Sequence, residues 1–156
     1  MNGGKIMRKI RSLTGMPVIC HRRKIGRLVQ ADLSDDLRRL EGIWVDAGLM
    51  GTRYISADQL SMIGEKAIIA DSRGMRRRCT ASPLFRRAVS TGGMRIGAIV
   101  GAEMDELSFL VCALELTHGF WDDLTMGRSR IVHFSAQAQE IIIPDSTQEN
   151  LEEADL

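Results

Sequence analysis

The sequence is poor in aromatic residues, which make up 4% of its 156 residues, with two Trp, one Tyr and four Phe. Aromatic rings are the platforms on which the bases of single-stranded nucleic acids stack. Their scarcity leaves little room for binding by base stacking. The formal net charge is only +1, so the chain as a whole exerts no strong attraction on nucleic acids or membranes.

Cysteines are also few, and their spacing excludes two kinds of site. Cys20, Cys79 and Cys112 are odd in number and far apart, which fits neither a disulfide framework nor a metal-binding motif. Long apolar runs are missing as well, since no segment approaches the ~20 residues that cross a bilayer. No apolar stretch follows the charged N-terminus, so no signal peptide is indicated. We therefore expect a cytoplasmic protein without membrane insertion.

The sequence further lacks the motifs that would indicate an enzyme. It contains neither a nucleophile elbow nor a phosphate-binding GxxxxGK[ST] loop. His21, His118 and His133 have no histidine four residues away and no cysteine pair nearby, so no metal site is indicated. The acidic pairs at residues 35–36 and 122–123 are typical of turns. We expect a protein without catalytic residues, cofactor or metal ion.

What the chain does contain is an internal repeat. The segment IGRLVQADL at residues 25–33 returns as IGAIVGAEM at residues 96–104, an offset of 71 positions. Later in each copy the offset becomes 74, where residues 68–69 match residues 142–143. A repeat at a fixed period indicates one structural unit built twice. Because each unit would lie near the lower size limit for a stable core, we expect the two to pack together.

The hydrophobic pattern of the repeat predicts β-strands. Apolar residues alternate with polar ones at Val29, Ala31 and Leu33, and the second copy repeats this alternation over residues 100–104. Period-two alternation is typical of a half-buried strand. Between the strands we expect turns at HRRK (residues 21–24) and SDD (residues 34–36), and a short helical turn at ADQLSMIG (residues 57–64). The expected fold is all-β, with two tandem small antiparallel β-barrels.

The same pattern divides the chain into four segments. We expect a first barrel module over residues 8–72 and a second over residues 88–146. An Arg-rich linker over residues 73–87 would join the two modules. Residues 147–156 form an acidic tail, which we expect to be disordered.

Both copies resemble the PRC-barrel family. The first copy carries the resemblance in GMPVICHRRKIGRLVQADLSDDLRRLEGIWVD and YISADQLSMIGEKAIIAD, and the second in AVSTGGMRIGAIVGAEMDELSFLVCALEL and IVHFSAQAQEIIIPD. The second copy departs from the pattern, because it has AQAQEII in place of IGEKAII and inserts FWDDL at residues 120–124. The resemblance covers residues 8–146.

The resemblance implies a role in docking. PRC-barrels occur in the H subunit of the photosynthetic reaction centre, in a ribosome maturation factor that docks on a ribosomal protein, and in many short bacterial proteins. The family is non-catalytic, and it supplies no catalytic residues to transfer. The sequence shows neither the transmembrane helix of the H subunit nor the other half of the maturation factor. The family resemblance therefore implies a cytoplasmic adaptor that acts through contacts with a protein partner.

Three aromatic residues are candidates for a protein interface. Trp44 lies between Ile43 and Val45, which face inward, so its ring is expected on the outer face of the strand. There it would either pack within its own chain or contact the other module, the second copy of a homodimer or a separate partner. Phe120 and Trp121, in the insertion of the second copy, either cap their own barrel or form a docking loop.

Clustered cations form a second candidate site, a basic patch of Arg22, Arg23, Lys24, Arg76, Arg77 and Arg78. They are either a solvated face and linker, or a surface that binds RNA phosphates or an acidic protein. The acidic tail adds a third alternative, in which it masks the patch in cis. Phosphate binding needs clustered cations but no particular spacing, so these alternatives stay open. An RNA- or ribosome-associated factor is therefore the alternative to the protein adaptor.

Overall fold

A computed structural model of the chain describes residues 7–80, 87–90, 95–117, 130–133 and 141–142. Across these ranges the chain folds into β-strands and three short 3₁₀ turns, without an α-helix. The prediction of an all-β fold is therefore confirmed. The chain divides into two compact units, Met1–Pro83 with Glu103–Val111, and Leu84–Ala102 with Cys112–Leu156.

The first unit contains a seven-stranded sheet. Its strands, preceded by the short β1 (Met7–Lys9), are β2 (Pro17–Cys20), β3 (Arg23–Leu33), β4 (Leu40–Asp46), β5 (Thr52–Ser56), β6 (Leu60–Ile63), β7 (Ile68–Ala70) and β8 (Met75–Arg76). The strand order is β6-β7-β2-β3-β4-β5-β8. Only β2 and β7 are parallel among these neighbours. The 3₁₀ turns are Ile10–Leu13, Gly48–Met50 and Ala57–Gln59.

The second unit repeats part of this arrangement. Its strands are β9 (Arg87–Ser90), β10 (Arg95–Asp105), β11 (Val111–Thr117), β12 (Arg130–His133) and β13 (Ile141–Ile142). The order β12-β11-β10-β9-β13 contains the same succession of four strands as β5-β4-β3-β2 of the first sheet. The outer neighbour differs, because β13 is antiparallel to β9 whereas β7 is parallel to β2. The last residues of β10 belong to the first unit and pair with β1.

The buried face of β3 corrects the predicted alternation. Leu28 is 2% exposed, whereas Val29, which was expected to face inward, is 44% exposed. A β-bulge between Leu28 and Gln30 inserts one extra residue, and this shifts the phase of the strand. Beyond the bulge, Ala31 and Leu33 are buried as predicted. The second copy buries the same three positions of its strand, at Ile99, Ala102 and Met104.

The predicted turns have different outcomes. The SDD turn is confirmed, since the Ser34 hydroxyl accepts hydrogen bonds from the amides of Arg38 and Arg39 at 3.1 Å each. The predicted helical turn is shorter than expected. Only Ala57–Gln59 is 3₁₀ helix, and the residues after it form β6, which pairs with β7.

The hairpin between β2 and β3 has a strained two-residue loop. Cys20 pairs with Arg23, which leaves His21 and Arg22 as the loop, with φ of 49° and 67°. A type I′ turn requires positive φ at both central residues, and Asn-Gly adopts it most readily. The left-handed conformation costs an ordinary L-residue about 1–2 kcal/mol.

Replacing Arg22 by Gly should stabilise the protein by about 1 kcal/mol, because Gly reaches positive φ without steric cost. Urea denaturation followed by circular dichroism gives the free energy of unfolding. Lys24→Gly is the matched control, since it removes the same charge from within β3, where Gly should destabilise by roughly 0.5–1 kcal/mol. Equal changes in the two variants would contradict the assignment of strain to Arg22.

Candidate functional site

A groove of about 470 Å³ lies on the first unit. It is lined by Arg23, Lys24, Ile25, Ala47, Met50, Arg53 and Arg73. Four of these seven side chains carry a positive charge, and the others are apolar. We call this site the basic groove.

Strand register brings the walls of the basic groove together. Arg27 of β3 pairs with Asp46, the last residue of β4. The start of β3, which carries Arg23 and Lys24, therefore extends past the end of β4 and runs beside the connection from β4 to β5. Arg53 is the second residue of β5, directly after this connection. Residues from distant parts of the sequence thus meet at one end of the sheet.

The positive charge of the basic groove is not neutralised within the described part of the chain, where Arg23, Lys24, Arg53 and Arg73 form no ion pair. Arg53 is nevertheless held in place. Its guanidinium donates hydrogen bonds to the backbone carbonyl oxygens of Arg73 and Gly74, at 2.6 and 2.7 Å. Neutral carbonyl groups orient the guanidinium but leave its charge available to an anion.

Exposed apolar side chains border the basic groove. In the 3₁₀ turn Gly48–Met50, the side chain of Leu49 is fully exposed and that of Met50 is 64% exposed. Arg and Met are both enriched in protein interfaces, and exposed apolar groups beside polar ones often mark them. The groove and its rim thus combine cationic side chains with exposed apolar ones.

The structure separates the members of the predicted basic patch. Arg23 and Lys24 line the basic groove, together with Arg53 and Arg73, which lie outside the predicted patch. Arg76 lies opposite Arg53 in the pair of β5 and β8. The remaining members lie elsewhere, with Arg22 at the tip of the hairpin, Arg78 exposed after β8, and Arg77 on a different surface.

Arg77 covers a pair of aromatic rings. Its guanidinium carbon is 4.5 Å from the ring centroid of Tyr54 and 5.9 Å from that of Trp44. The two rings are direct neighbours on β4 and β5, with centroids 5.0 Å apart and planes tilted by 59°. A cation over an aromatic ring contributes about 0.5–1 kcal/mol at an exposed site, and more where water is excluded.

This packing corrects the role predicted for Trp44. Its side chain is 1% exposed, with Tyr54 and Arg77 packed against the ring, so it presents no surface to a partner. Of the contacts predicted for Trp44, packing within the chain is the one that the structure shows. Phe120 and Trp121, the other predicted anchors, lie outside the described residues.

A short segment, residues 77–80, crosses the sheet beside these rings, and we call it the strap. At one end, the Arg77 amide donates to the carbonyl oxygen of Thr52 at 3.1 Å. At the other end, the Gln30 side chain donates to the carbonyl oxygen of Thr80 at 3.2 Å. Because Thr52 lies on β5 and Gln30 on β3, the strap passes over β4, the strand that carries Trp44.

Two titratable groups, Tyr54 beneath the strap and Cys79 within it, are held in their neutral forms. Burial raises the pKa of the Tyr54 phenol, and the Asp32 carboxylate, which accepts its hydrogen bond at 2.7 Å, raises it further. Burial also raises the pKa of the Cys79 thiol, with a smaller contribution from Asp32. A nucleophilic thiol requires the opposite shift, toward the thiolate. The cluster therefore has the chemistry of a packing contact.

Gly42 makes room for Tyr54 in this cluster. Gly42 lies on β4 between Asp32 of β3 and Ser56 of β5. A Cβ at this position would overlap the hydroxyl of Tyr54 and the carbonyl oxygen of Ile55. Glycine is therefore needed for the Tyr54 hydroxyl to pass over β4 and reach Asp32.

No protein-family model and no curated protein matches this chain. The resemblance to PRC-barrels accordingly stays a prediction from the sequence. In the described ranges, no three His, Cys, Asp or Glu side chains come close enough to hold a metal ion. Those ranges also contain no helix with the length and apolar character needed to span a membrane.

Trp44 fluorescence should report on the strap. In a Trp121→Phe background, Trp44 is the only tryptophan of the chain. Arg77→Ala should uncover its ring, shift its emission to longer wavelength and lower stability by about 0.5–2 kcal/mol. Arg78→Ala removes the same charge from the next, exposed position and should leave the emission unchanged. Identical emission spectra for the two variants would show that Arg77 does not cover Trp44.

Proposed function

We propose that this chain is a non-catalytic docking module that binds a protein partner through its basic groove. The observation that carries the proposal is the groove itself, in which Arg23, Lys24, Arg53 and Arg73 lie without acidic partners among the described residues. The exposed apolar groups at the rim provide surface that a partner can bury. The cations determine which partner binds and in which orientation.

The state of the other reactive groups supports a role without catalysis. Tyr54 and Cys79 are shifted toward their neutral forms, and the Asp32 carboxylate is occupied by the Tyr54 hydroxyl. Their arrangement serves to cover Trp44. As part of the same proposal, the protein acts in the cytoplasm, where thiols such as Cys20 and Cys79 stay reduced.

The architecture in this proposal is two tandem PRC-barrel-like modules. In support, the succession of strands β2 to β5 recurs in β9 to β12. The strands β4 and β11 both have seven residues. Buried positions also correspond, with Leu28, Ala31 and Leu33 matching Ile99, Ala102 and Met104. PRC-barrels are docking modules, which agrees with the function proposed from the groove.

RNA is the alternative ligand, because the groove cations would also attract phosphates. Stacking on bases, however, needs accessible aromatic rings. Trp44 is buried, and the ring of Tyr54 lies under the Arg77 guanidinium. The exposed Leu49 beside the groove has no counterpart in phosphate binding. We therefore favour a protein partner and treat RNA as an outcome of the test.

The double variant Arg23→Ser/Arg73→Ser should lose the partner, because it removes two of the four groove cations. We expect capture of the partner from an extract of the source cells to fall about tenfold, a loss of ~1.4 kcal/mol. Quantitative mass spectrometry of proteins retained by the tagged full-length chain measures this, with a parallel sample treated with ribonuclease.

The matched control is Lys9→Ser/Lys66→Ser, which removes two exposed cations elsewhere on the first unit. It should retain the partner within about twofold, because both double variants change the net charge equally and charge steering alone is weak at physiological salt. Equal losses in the two double variants would refute binding at the groove. Capture that disappears with ribonuclease would replace the protein partner by RNA.

A further inference from the structure

The chemistry of the basic groove points to one kind of occupant. We propose that it binds an acidic peptide segment of the partner, with carboxylates on the groove cations and one apolar side chain on the exposed turn Gly48–Met50. This inference rests on the docking function proposed above and names the class of ligand that the groove recognises.

Charge is the first argument for an acidic segment. Arg23, Lys24, Arg53 and Arg73 share one groove, and they find no acidic side chain to pair with in the ranges that the structure describes. Asp46, which precedes the lining residue Ala47, accepts a hydrogen bond from the Gly48 amide at 2.9 Å within its own turn. Cations gathered in this way repel one another, and an anionic ligand relieves the repulsion.

The geometry of Arg53 favours carboxylates in particular. A guanidinium has five N–H donors in a planar fork that matches the two oxygens of a carboxylate. Arg53 uses its Nε and Nη2 to reach the carbonyl oxygens of Arg73 and Gly74. Donors on Nη1 and the second hydrogen of Nη2 stay available to a ligand. Because the group is already oriented, it loses little conformational entropy when a ligand binds.

The apolar part of the ligand follows from the turn beside the groove. Leu49 is fully exposed, yet the loop that carries it is well ordered by hydrogen bonds. The Ala47 amide donates to the Gly51 carbonyl oxygen at 3.0 Å, and the Gly51 amide to that of Gly48 at 2.9 Å. These bonds hold the backbone of the turn in place, and Met50, the residue after Leu49, lines the groove. Apolar side chains on an ordered turn at a charged groove suit a peptide that has both kinds of residue.

A peptide explains these features better than smaller or less apolar anions do. A single phosphate would occupy a fraction of the ~470 Å³ groove and would leave Leu49 and Met50 exposed. RNA would bring charge along a strand, but the two aromatic rings of the seven-stranded sheet, Trp44 and Tyr54, lie under the Arg77 guanidinium and offer its bases no open face there. An acidic segment with one large apolar residue would pair its carboxylates with the cations and cover the exposed apolar side chains of the turn.

The test uses the full chain and two fluorescent synthetic peptides. The first is a run of glutamates with one central leucine, and the second has serine in place of that leucine. Fluorescence anisotropy gives the Kd of each. We expect the leucine peptide to bind, with an affinity that falls as salt rises from 50 to 200 mM, since the contacts are ionic.

Variants then separate the two halves of the site. Arg23→Ser/Arg73→Ser should weaken both peptides about tenfold or more, while Lys9→Ser/Lys66→Ser should leave both within about twofold. Leu49→Ser should weaken the leucine peptide about fivefold and leave the serine peptide unchanged, because only the first peptide has an apolar side chain to place there. All the substituted positions are exposed, and urea unfolding checks that each variant is folded.

Each remaining outcome is decisive. Equal weakening by the groove variant and its control would overturn the groove as the site, and equal affinity for the two peptides would overturn the apolar contact. Displacement of the peptide by an RNA oligomer at lower concentration than by unlabelled peptide would assign the groove to nucleic acid. If neither peptide binds but capture from cell extract still depends on Arg23 and Arg73, the acidic ligand is refuted and the docking function stands. If both fail, the docking function fails with it.

Discussion

The pairing of β4 with β3 on one side and β5 on the other is the constraint on which the rest of the first unit depends. Both faces of β4 are covered, since Ile43 and Val45 are fully buried and Trp44 between them is 1% exposed. The inner face forms the core, and the outer face lies under the strap. At the end of the strand, the same register brings Arg23 beside Arg53 and so forms the basic groove.

Local sequence patterns were sufficient for the all-β class and for the turn at Ser34, because strand alternation and turn chemistry are local properties. They failed at Val29, where a bulge changes which residues face inward. They also failed for Trp44, since only the pairing with Tyr54 shows what covers its ring. The basic groove was half predicted, because the arginines that complete it come from β5 and from the segment after β7.

The arginine-rich stretch after β7 is less uniform than its composition indicates. Arg73 contributes its side chain to the basic groove and its carbonyl oxygen to the support of Arg53. Four residues later, Arg77 packs on aromatic rings. A run that looks like a single basic linker therefore holds residues in separate positions, one lining the basic groove and the other covering the outer face of the sheet. The net charge of this arginine-rich segment predicts neither of these positions.

The strained hairpin has a consequence for how this chain would respond to selection. Its loop carries His21 and Arg22 where Asn-Gly would fold at lower cost. The same hairpin leads directly into Arg23 and Lys24, the first residues of the groove wall. Selection for stability alone would favour loop residues that adopt positive φ at lower cost. Selection for binding would act instead on the orientation of the residues that follow. Under the function proposed for the groove, stability and recognition act on the same few residues, and variants that improve one at this hairpin put the other at risk.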